Sequence, residues 1–284
     1  MNARIRVLLL LLFVLMSTLT SAVVTAQDDE QTGLTFIQLK DGEAVTNSFE
    51  EEVNAHLYVF FGSAGDVVTI TMLESAESQL DPYLALLGPA GQVYAANDDI
   101  DPASIFSASI EDFELPQDGA YFVLATSFTG LRRPIFVPEG EEAPEPQFYE
   151  ITVTGNTIPE DLVDAEAFTF FYGQLEIGES STLAITAEEP VFYVLFSGEE
   201  GDVVTIRTEP AESSSVDTAL HLFDANGNRI AINDDGENLG LYSEIANFEL
   251  PADGTYMVFA TAYDFNDAIR PDWSNVGQFV LTIE

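Results

Sequence analysis

An internal repeat is the strongest constraint that this sequence places on its fold. A shift of 136 residues aligns Leu39–Asp99 with Leu175–Asp235 without a gap. After a slip of one residue, FELPQDGAYFVLAT at 113–126 matches FELPADGTYMVFAT at 248–261. The repeat predicts two copies of one domain, residues 31–156 and 166–284, joined by a short linker over residues 157–165.

The pattern inside each copy is typical of strands and turns. Short segments rich in Val, Ile, Phe, Tyr and Thr are bounded by Gly, Asp, Asn and Pro, and DVVTITM at 66–72 alternates as a half-buried strand does. GPAG at 88–91 and DANG at 224–227 each predict a hairpin loop closed by glycine. About 110 residues with roughly eight such strands predict an all-β fold of two tandem antiparallel β-sandwiches, jelly-roll-like in arrangement.

The first 26 residues have the features of a signal peptide. Arg4 and Arg6 precede an apolar run over 7–16, and small and polar residues end at Ala26, which predicts cleavage before Gln27. The run is short for a bilayer span, and no later stretch approaches the roughly 20 apolar residues that a transmembrane helix needs. We expect a secreted protein, extracellular or at the cell surface, with the periplasm possible. An uncleaved membrane anchor is the alternative.

Charge and cysteine content exclude several classes of protein. The net charge of −41 makes nucleic acid an unsuitable partner. The absence of cysteine excludes disulfides and a lipid anchor on cysteine. Lys40 is the only lysine, a bias that also fits a salt-adapted organism, so the acidity has two interpretations, habitat and mechanism. A hydrophobic content of 46% favours a folded chain over an acidic disordered one.

The sequences AANDD at 95–99 and AINDD at 231–235 predict a metal site in each copy. If the four-residue loops close the hairpins, Leu87 pairs with Gln92 and Phe223 with Asn228, so that Asp81 opposes Asp98 and Asp217 opposes Asp234. Opposed like charges destabilise a sheet, whereas calcium favours carboxylate and amide oxygens. The predicted ligands are Asp81, Asn97, Asp98, Asp99, Asp217, Asn233, Asp234 and Asp235.

The same stretches have a structural alternative, because Asn and Asp also begin turns by capping their own backbone. Asp66 and Asp202, each after a glycine, are weaker metal candidates that a turn role explains as well. The absence of cysteine and the presence of only two histidines argue against zinc.

The sequence predicts no catalytic centre. His56 and His221 lie within apolar strands at non-equivalent places in the two copies, which predicts packed sheet residues. No Gly-x-Ser-x-Gly, His-Glu-x-x-His or phosphate-binding glycine loop occurs. A hydrolase with a carboxylate pair is the alternative, but among 49 acidic residues such a pair is not specific.

The loops before the last strand of each copy are the candidates for ligand binding. They differ most between the copies and carry aromatic and arginine side chains, the usual anchors of an interface. The candidates are Arg132, Arg133, Tyr263, Arg270 and Trp273, with Phe128, Phe136 and Phe265 beside them. The alternative is that these side chains cover the end of the sandwich core.

The order of motifs resembles the bacterial pre-peptidase C-terminal domain, whose superfamily includes the collagen-binding domains of clostridial collagenases. The resemblance rests on GDVVTI, the NDD stretch, the ELPxDGxY segment and the closing YEITV or FVLTI, and it covers both copies. It implies a β-sandwich, secretion and an accessory role beside a catalytic domain. It also implies calcium in some relatives, which would sit at the acidic cluster of each copy.

This chain departs from the usual setting of that family, because no peptidase precedes the two copies. We therefore expect a non-catalytic, calcium-binding tandem that binds an extracellular polymer, a protein or the cell envelope. A structural or salt-adapted envelope protein without a specific ligand is the alternative.

Overall fold

The computed structural model describes residues 20–25, 33–50, 53–75, 80–99, 107–130, 145–159, 167–211, 214–237, 239–267 and 275–284. Within these residues the chain is all-β, apart from one 3₁₀ turn at Tyr263–Asp267. No helix in this described part is long and apolar enough to cross a membrane.

The strands follow the repeat. The segment predicted to be a signal peptide, here called the leader, contributes β1 (Thr20–Thr25). The first copy contributes β2 (Val45–Phe49), β3 (Ala55–Gly62), β4 (Val67–Glu74), β5 (Pro82–Leu87), β6 (Val93–Asn97), β7 (Ser107–Glu114), β8 (Gly119–Ser127) and β9 (Gln147–Thr154). The second copy contributes β10 (Ala167–Gln174), β11 (Glu179–Ile185), β12 (Val191–Gly198), β13 (Val203–Pro210), β14 (Thr218–Phe223), β15 (Arg229–Asn233), β16 (Glu244–Glu249), β17 (Gly254–Ala262) and β18 (Gly277–Ile283).

Among the described residues, eight strands of each copy form a jelly roll, as predicted. In the first copy the sheet β2-β9-β4-β7 packs on the sheet β3-β8-β5-β6. In the second copy β11-β18-β13-β16 packs on β12-β17-β14-β15, and β10 and then β1 extend the second of these sheets beyond β12. The prediction of an all-β antiparallel sandwich fold is confirmed.

The two copies also share a core. All six residues of β5 are buried and so are all six of β14, which means that both faces of these strands are covered. On β5, Leu84 and Leu86 face the sandwich interior, whereas Tyr83, Ala85 and Leu87 face the second copy. We call the apolar interior between the two copies the shared core. Its members include Leu57, Val59, Phe122 and Leu124 from the first copy and Tyr193, Leu195, Met257 and Phe259 from the second.

The hairpin loop of each copy docks on the other copy. The amide of Leu57 donates to the carbonyl of Gly227 at 2.7 Å, and the Tyr193 hydroxyl donates to the carbonyl of Gly88 at 3.1 Å. A Cβ on Gly91 would lie 1.9 Å from the carbonyl oxygen of Val191, and one on Gly227 would lie 2.5 Å from that of Leu57. Glycine at these two positions therefore allows the close approach of the two copies.

The two hairpins close as predicted, but their register was predicted wrongly. The amide of Gly88 donates to the Gln92 carbonyl at 2.8 Å, and Gly91 adopts a φ of +83°. Leu87 then pairs with Val93 rather than with Gln92, and a bulge follows, so that Leu86 pairs with Ala95. The second copy has the same bulge, with Phe223 opposite Arg229. The predicted pairs Asp81–Asp98 and Asp217–Asp234 are therefore wrong by two positions. One position arises because the first strand pair lies one residue further along than predicted, and the other arises from the bulge, which the sequence pattern does not reveal.

Candidate functional site: two acidic corners

Acidic side chains gather at the same corner of each copy, despite the error in register. The first corner comprises Asp81, Asp98 and Asp99, at the open ends of β5 and β6. The second comprises Asp217, Asp234, Asp235 and Asp264, at the equivalent ends of β14 and β15. A shift of two residues keeps a side chain on the same face of a strand, so the predicted acids still meet.

The carboxylates at each corner repel one another. Partial burial raises the pKa of Asp81, and the charges of Asp99 and Asp98 raise it further. Burial likewise raises the pKa of Asp217 to about 6, with additional contributions from Asp235, Asp234 and Asp264. The charged form of the central aspartate is thus disfavoured in both copies, a condition that a cation would relieve.

The corners do not form a closed coordination shell. Within the described residues, no three acidic, histidine or cysteine side chains converge closely enough to hold a metal ion. Binding of an ion would therefore require the carboxylates to move towards one another.

The two asparagines of the predicted metal sites connect the sheets of each sandwich. The Asn97 Oδ1 accepts from the Ser109 amide at 3.3 Å, and the Asn233 Oδ1 accepts from the Glu244 amide at 3.3 Å. Each bond joins the end of one hairpin strand to the first residues of the strand that follows in the opposite sheet. An amide side chain that accepts a hydrogen bond from a partly buried backbone amide explains why asparagine stands at both positions.

The loops predicted to bind ligand begin beside the acidic corners. The amide of Phe128 donates to the Asp81 carbonyl at 2.8 Å, and the amide of Tyr263 donates to the Asp217 carbonyl at 2.9 Å. Arg132, Arg133, Arg270 and Trp273 lie outside the described residues. Tyr263 is partly buried, and Phe128 is 38% exposed.

Phe265, by contrast, lies in the shared core and packs on Phe259 and His221. The alternative interpretation, that the side chain covers the core, is therefore confirmed for Phe265.

Two residues at the second corner were not predicted from the sequence. Asp264 adds its charge to those around Asp217, and its Oδ2 accepts from the Asn275 amide at 3.1 Å. The Asn275 side chain in turn pairs with the backbone of Asp217, accepting at 2.9 Å and donating at 2.8 Å. The loop after β17 is thereby closed onto the corner. The repeat could not reveal this closure, because the two loops differ in length.

Asp66 and Asp202 are turn residues. The Asp66 Oδ2 accepts from the amides of Ser63 at 2.8 Å and Thr157 at 2.6 Å. Desolvation alone would raise the pKa of Asp66, but these bonds and one from the Thr157 hydroxyl hold it below its usual value. The Asp202 Oδ2 accepts from the Glu199 amide at 2.9 Å. The first residue of the predicted linker, Thr157, is thus tied to the first sandwich.

His56 is a packed sheet residue, as predicted. Its Nδ1 lies 2.6 Å from the Tyr149 hydroxyl, which lies 2.6 Å from the Tyr58 hydroxyl, and the Asn47 amide donates to Tyr58 at 3.0 Å. Burial, with a smaller contribution from the charge of Arg229, lowers the pKa of His56 to about 4. The ring is therefore neutral at pH 7.

Arg229 was not predicted to be important, yet it links the two copies. Its guanidinium is buried and donates to the Asn54 Oδ1 from Nε at 3.1 Å and from Nη2 at 2.6 Å. It also donates to the Gly130 carbonyl and lies 3.1 Å from the His221 Nδ1. Burial lowers the pKa of Arg229 to about 9. The sequence signal was an arginine inside an apolar strand of a chain with few basic residues.

Comparison with known proteins shows partial likenesses to solved structures. No family model matches the chain, and no curated protein matches it. The pre-peptidase C-terminal domain of a collagenase from Bacillus anthracis is 14% identical, with a TM-score of 0.30, over 39% of this chain and 92% of that one. PliG from Aeromonas hydrophila, a periplasmic inhibitor of g-type lysozyme, is 15% identical, with a TM-score of 0.27, over 42% and 96%.

Proposed function

We propose that this chain is an exported, non-catalytic binding module of the extracellular space or cell envelope. A divalent cation, calcium by its ligand chemistry, stabilises the two acidic corners, and the adjacent loops contact an extracellular polymer or protein. The observation that carries the proposal is the recurrence of the acidic corner in both copies, each time beside the loop that differs most between them.

A binding role fits the distribution of polar groups better than catalysis does. The acidic corner recurs, whereas the histidine cluster of His56 is found in the first copy alone among the described residues, and the arginine cluster of Arg229 lies between the copies; both clusters are buried. A general base must reach its substrate, and neither imidazole is placed to do so, because both lie in packed interiors. Ligand recognition by exposed loops on a rigid sandwich needs no such group.

A melting experiment tests the cation. We expect the mature chain, beginning at Gln27, to melt at a higher temperature in calcium chloride than in sodium chloride of the same ionic strength, since an ion bound only by the folded state stabilises it. The double substitution Asp81→Asn with Asp217→Asn should remove the calcium-specific increase. Glu150→Gln, at an exposed acid on β9, is the matched control and should retain it. An equal melting temperature in the two salts would refute the cation site.

The net charge of −41 and the single lysine favour a second candidate, a salt-adapted structural protein without a specific ligand. In that case sodium chloride alone would raise the melting temperature as much as calcium does. The same experiment therefore separates the two functions.

Co-sedimentation tests the ligand. The mature chain is mixed with insoluble collagen, chitin, cellulose or peptidoglycan, in calcium and in chelator. We expect saturable binding to one of these polymers, weakened by Tyr263→Ala beside the second corner. Phe148→Ala, which truncates a 49% exposed aromatic on a sheet face, is the control. Binding to none of them, or equal loss with both variants, would contradict a loop-based binding site.

A further inference from the structure

The outer edge of β10 is covered by the leader. Strand β1 pairs antiparallel with β10 over six residues, from Thr20 opposite Tyr172 to Thr25 opposite Ala167. On its other side β10 pairs in parallel with β12 only at its end, where Gly173 and Gln174 meet Val194 and Leu195. Without β1, β10 would be the edge strand of its sheet.

The equivalent edge of the first copy is covered differently. Gln38 forms a parallel bridge with Val59, the counterpart of the Gln174 pairing in the second copy. Just before it, the Thr35 amide donates to the Ala225 carbonyl at 2.6 Å, and the Thr35 hydroxyl donates to the Asn226 Oδ1 at 2.7 Å. The second copy thus covers the edge of the first, whereas the leader covers the edge of the second.

Cleavage before Gln27 would remove the cover from β10. Edge strands are usually protected by charged side chains or proline, because their free amides and carbonyls attract other strands. The sequence of β10, AFTFFYGQ, contains neither a charge nor a proline, in a chain with 49 acidic residues. The removal of the leader therefore leaves an uncharged edge that is suited to pairing.

We propose that the exported, processed protein uses the edge of β10 to bind an extended segment of a partner protein, which adds to the sheet antiparallel as β1 does. This proposal rests on the export and processing in the proposed function, but not on calcium. Main-chain hydrogen bonds supply affinity in this mode of recognition. The seated leader strand, TSAVVT, shows the chemistry that fits: an uncharged segment containing β-branched residues. A second copy is the poorer occupant, because two chains of such negative charge repel each other.

The test uses the exported protein, with its amino terminus determined by intact mass, and a labelled soluble peptide that carries residues 20–25. We expect saturable binding by fluorescence anisotropy, together with slower hydrogen exchange of the amides of residues 167–172. The chain that retains its leader should bind at least tenfold more weakly.

Two N-methylated peptides give the matched control, because alternate residues of an added strand direct their amides towards the edge. One is methylated at the positions of Thr20, Ala22 and Val24, and the other at Ser21, Val23 and Thr25. We expect one peptide to lose binding at least tenfold and the other to retain it. The proposal is overturned if the unmethylated peptide does not bind, if both methylated peptides bind equally, if the exported chain keeps its leader, or if it dimerises through β10.

Discussion

The two copies share one fold but differ in the side chains that fill their interiors. The first sandwich buries a hydrogen-bonded cluster of Asn47, His56, Tyr58 and Tyr149. The aligned positions of the second sandwich carry only apolar side chains, and these are Leu183, Phe192, Val194 and Phe279.

The second sandwich has a polar cluster of its own, at positions that are apolar in the first. Its Thr208 and Thr218 hydroxyls lie 2.7 Å apart, and the Ser243 hydroxyl donates to the Thr218 carbonyl at 2.7 Å. The first copy has Met72, Pro82 and Ala108 at the corresponding positions. One jelly roll thus accepts either a satisfied polar cluster or an apolar one, since buried polar groups are tolerated when each has a partner.

The features common to both copies are those that the fold requires. They include the capping aspartates Asp66 and Asp202, the asparagines at the ends of the hairpins, and a bulge whose residues Asp112 and Asn247 have φ values of 49° and 50°. A polar group that recurs at such a position serves the backbone. The recurring acidic corner differs in bringing several carboxylates together, so that burial and mutual repulsion raise the pKa of Asp81 and of Asp217, and this difference is why it is the candidate functional site.

The largest effect is expected where the two copies touch. Gly91→Ala and Gly227→Ala should each lower the free energy of unfolding by about 4 kcal/mol, because the new Cβ meets a backbone carbonyl of the other copy and the residue adopts positive φ. Gly65→Ala and Gly201→Ala have nearly the same φ but open space around the Cβ, so about 1 kcal/mol is expected. Urea titration measures all four. Equal losses of unfolding free energy at all four glycines would mean that the contact between the copies does not contribute to stability.

The next largest effect is expected at Arg229. Asn54→Ala should cost about 3 kcal/mol, since it removes the acceptor of two hydrogen bonds from a buried cation. Arg229→Met removes the buried charge together with its hydrogen bonds. It should lower the free energy of unfolding by less in the Asn54→Ala variant than in the parent protein. Additive losses in this double-mutant cycle, measured by urea unfolding, would argue against the link between the copies.

A smaller effect on stability is expected when the pH falls below 7. Because the pKa of His56 is about 4 in the folded state and near 6.5 when unfolded, stability is lost as the pH falls from 6.5 to 4. His56→Phe, which copies Phe192 of the second sandwich, should have a free energy of unfolding about 1 kcal/mol below that of the parent at pH 7. At pH 4 the variant should be about 2 kcal/mol more stable than the parent, because it has no imidazole to protonate. Parallel pH profiles of stability would show that the imidazole does not titrate as described.

The smallest effect is expected from exchanging residues between the copies. Ser243→Ala, which copies Ala108, should cost about 1 kcal/mol for its lost hydrogen bonds. Ala108→Ser should cost more, about 2 kcal/mol, because Met72 and Pro82 offer the new hydroxyl no side-chain partner. The comparison fails if the two substitutions have the reverse order in thermal melts.

The sequence was sufficient to predict the jelly roll, because the repeat, the strand period and the glycine-closed hairpins all indicate it. It did not predict the register of each hairpin, since the local sequence shows neither the residue at which the loop ends nor the residue that the bulge leaves unpaired. The acids of NDD nevertheless lie near Asp81 and Asp217, because a slip of two positions preserves the face of the strand.

The shared core was missed for a different reason. The uninterrupted apolar run PYLALL of β5 indicates a strand buried on both faces, but not which surface covers the second face. Likewise, nothing local to Arg229 reveals that Asn54 lies beside it, 175 residues away in the chain.

Calorimetry of the mature chain in chelator tests most directly whether the two copies fold as one unit around the shared core. If the shared core couples the two copies, we expect a single transition whose calorimetric and van't Hoff enthalpies agree. Two separate transitions, with each copy melting independently of the other, would contradict it.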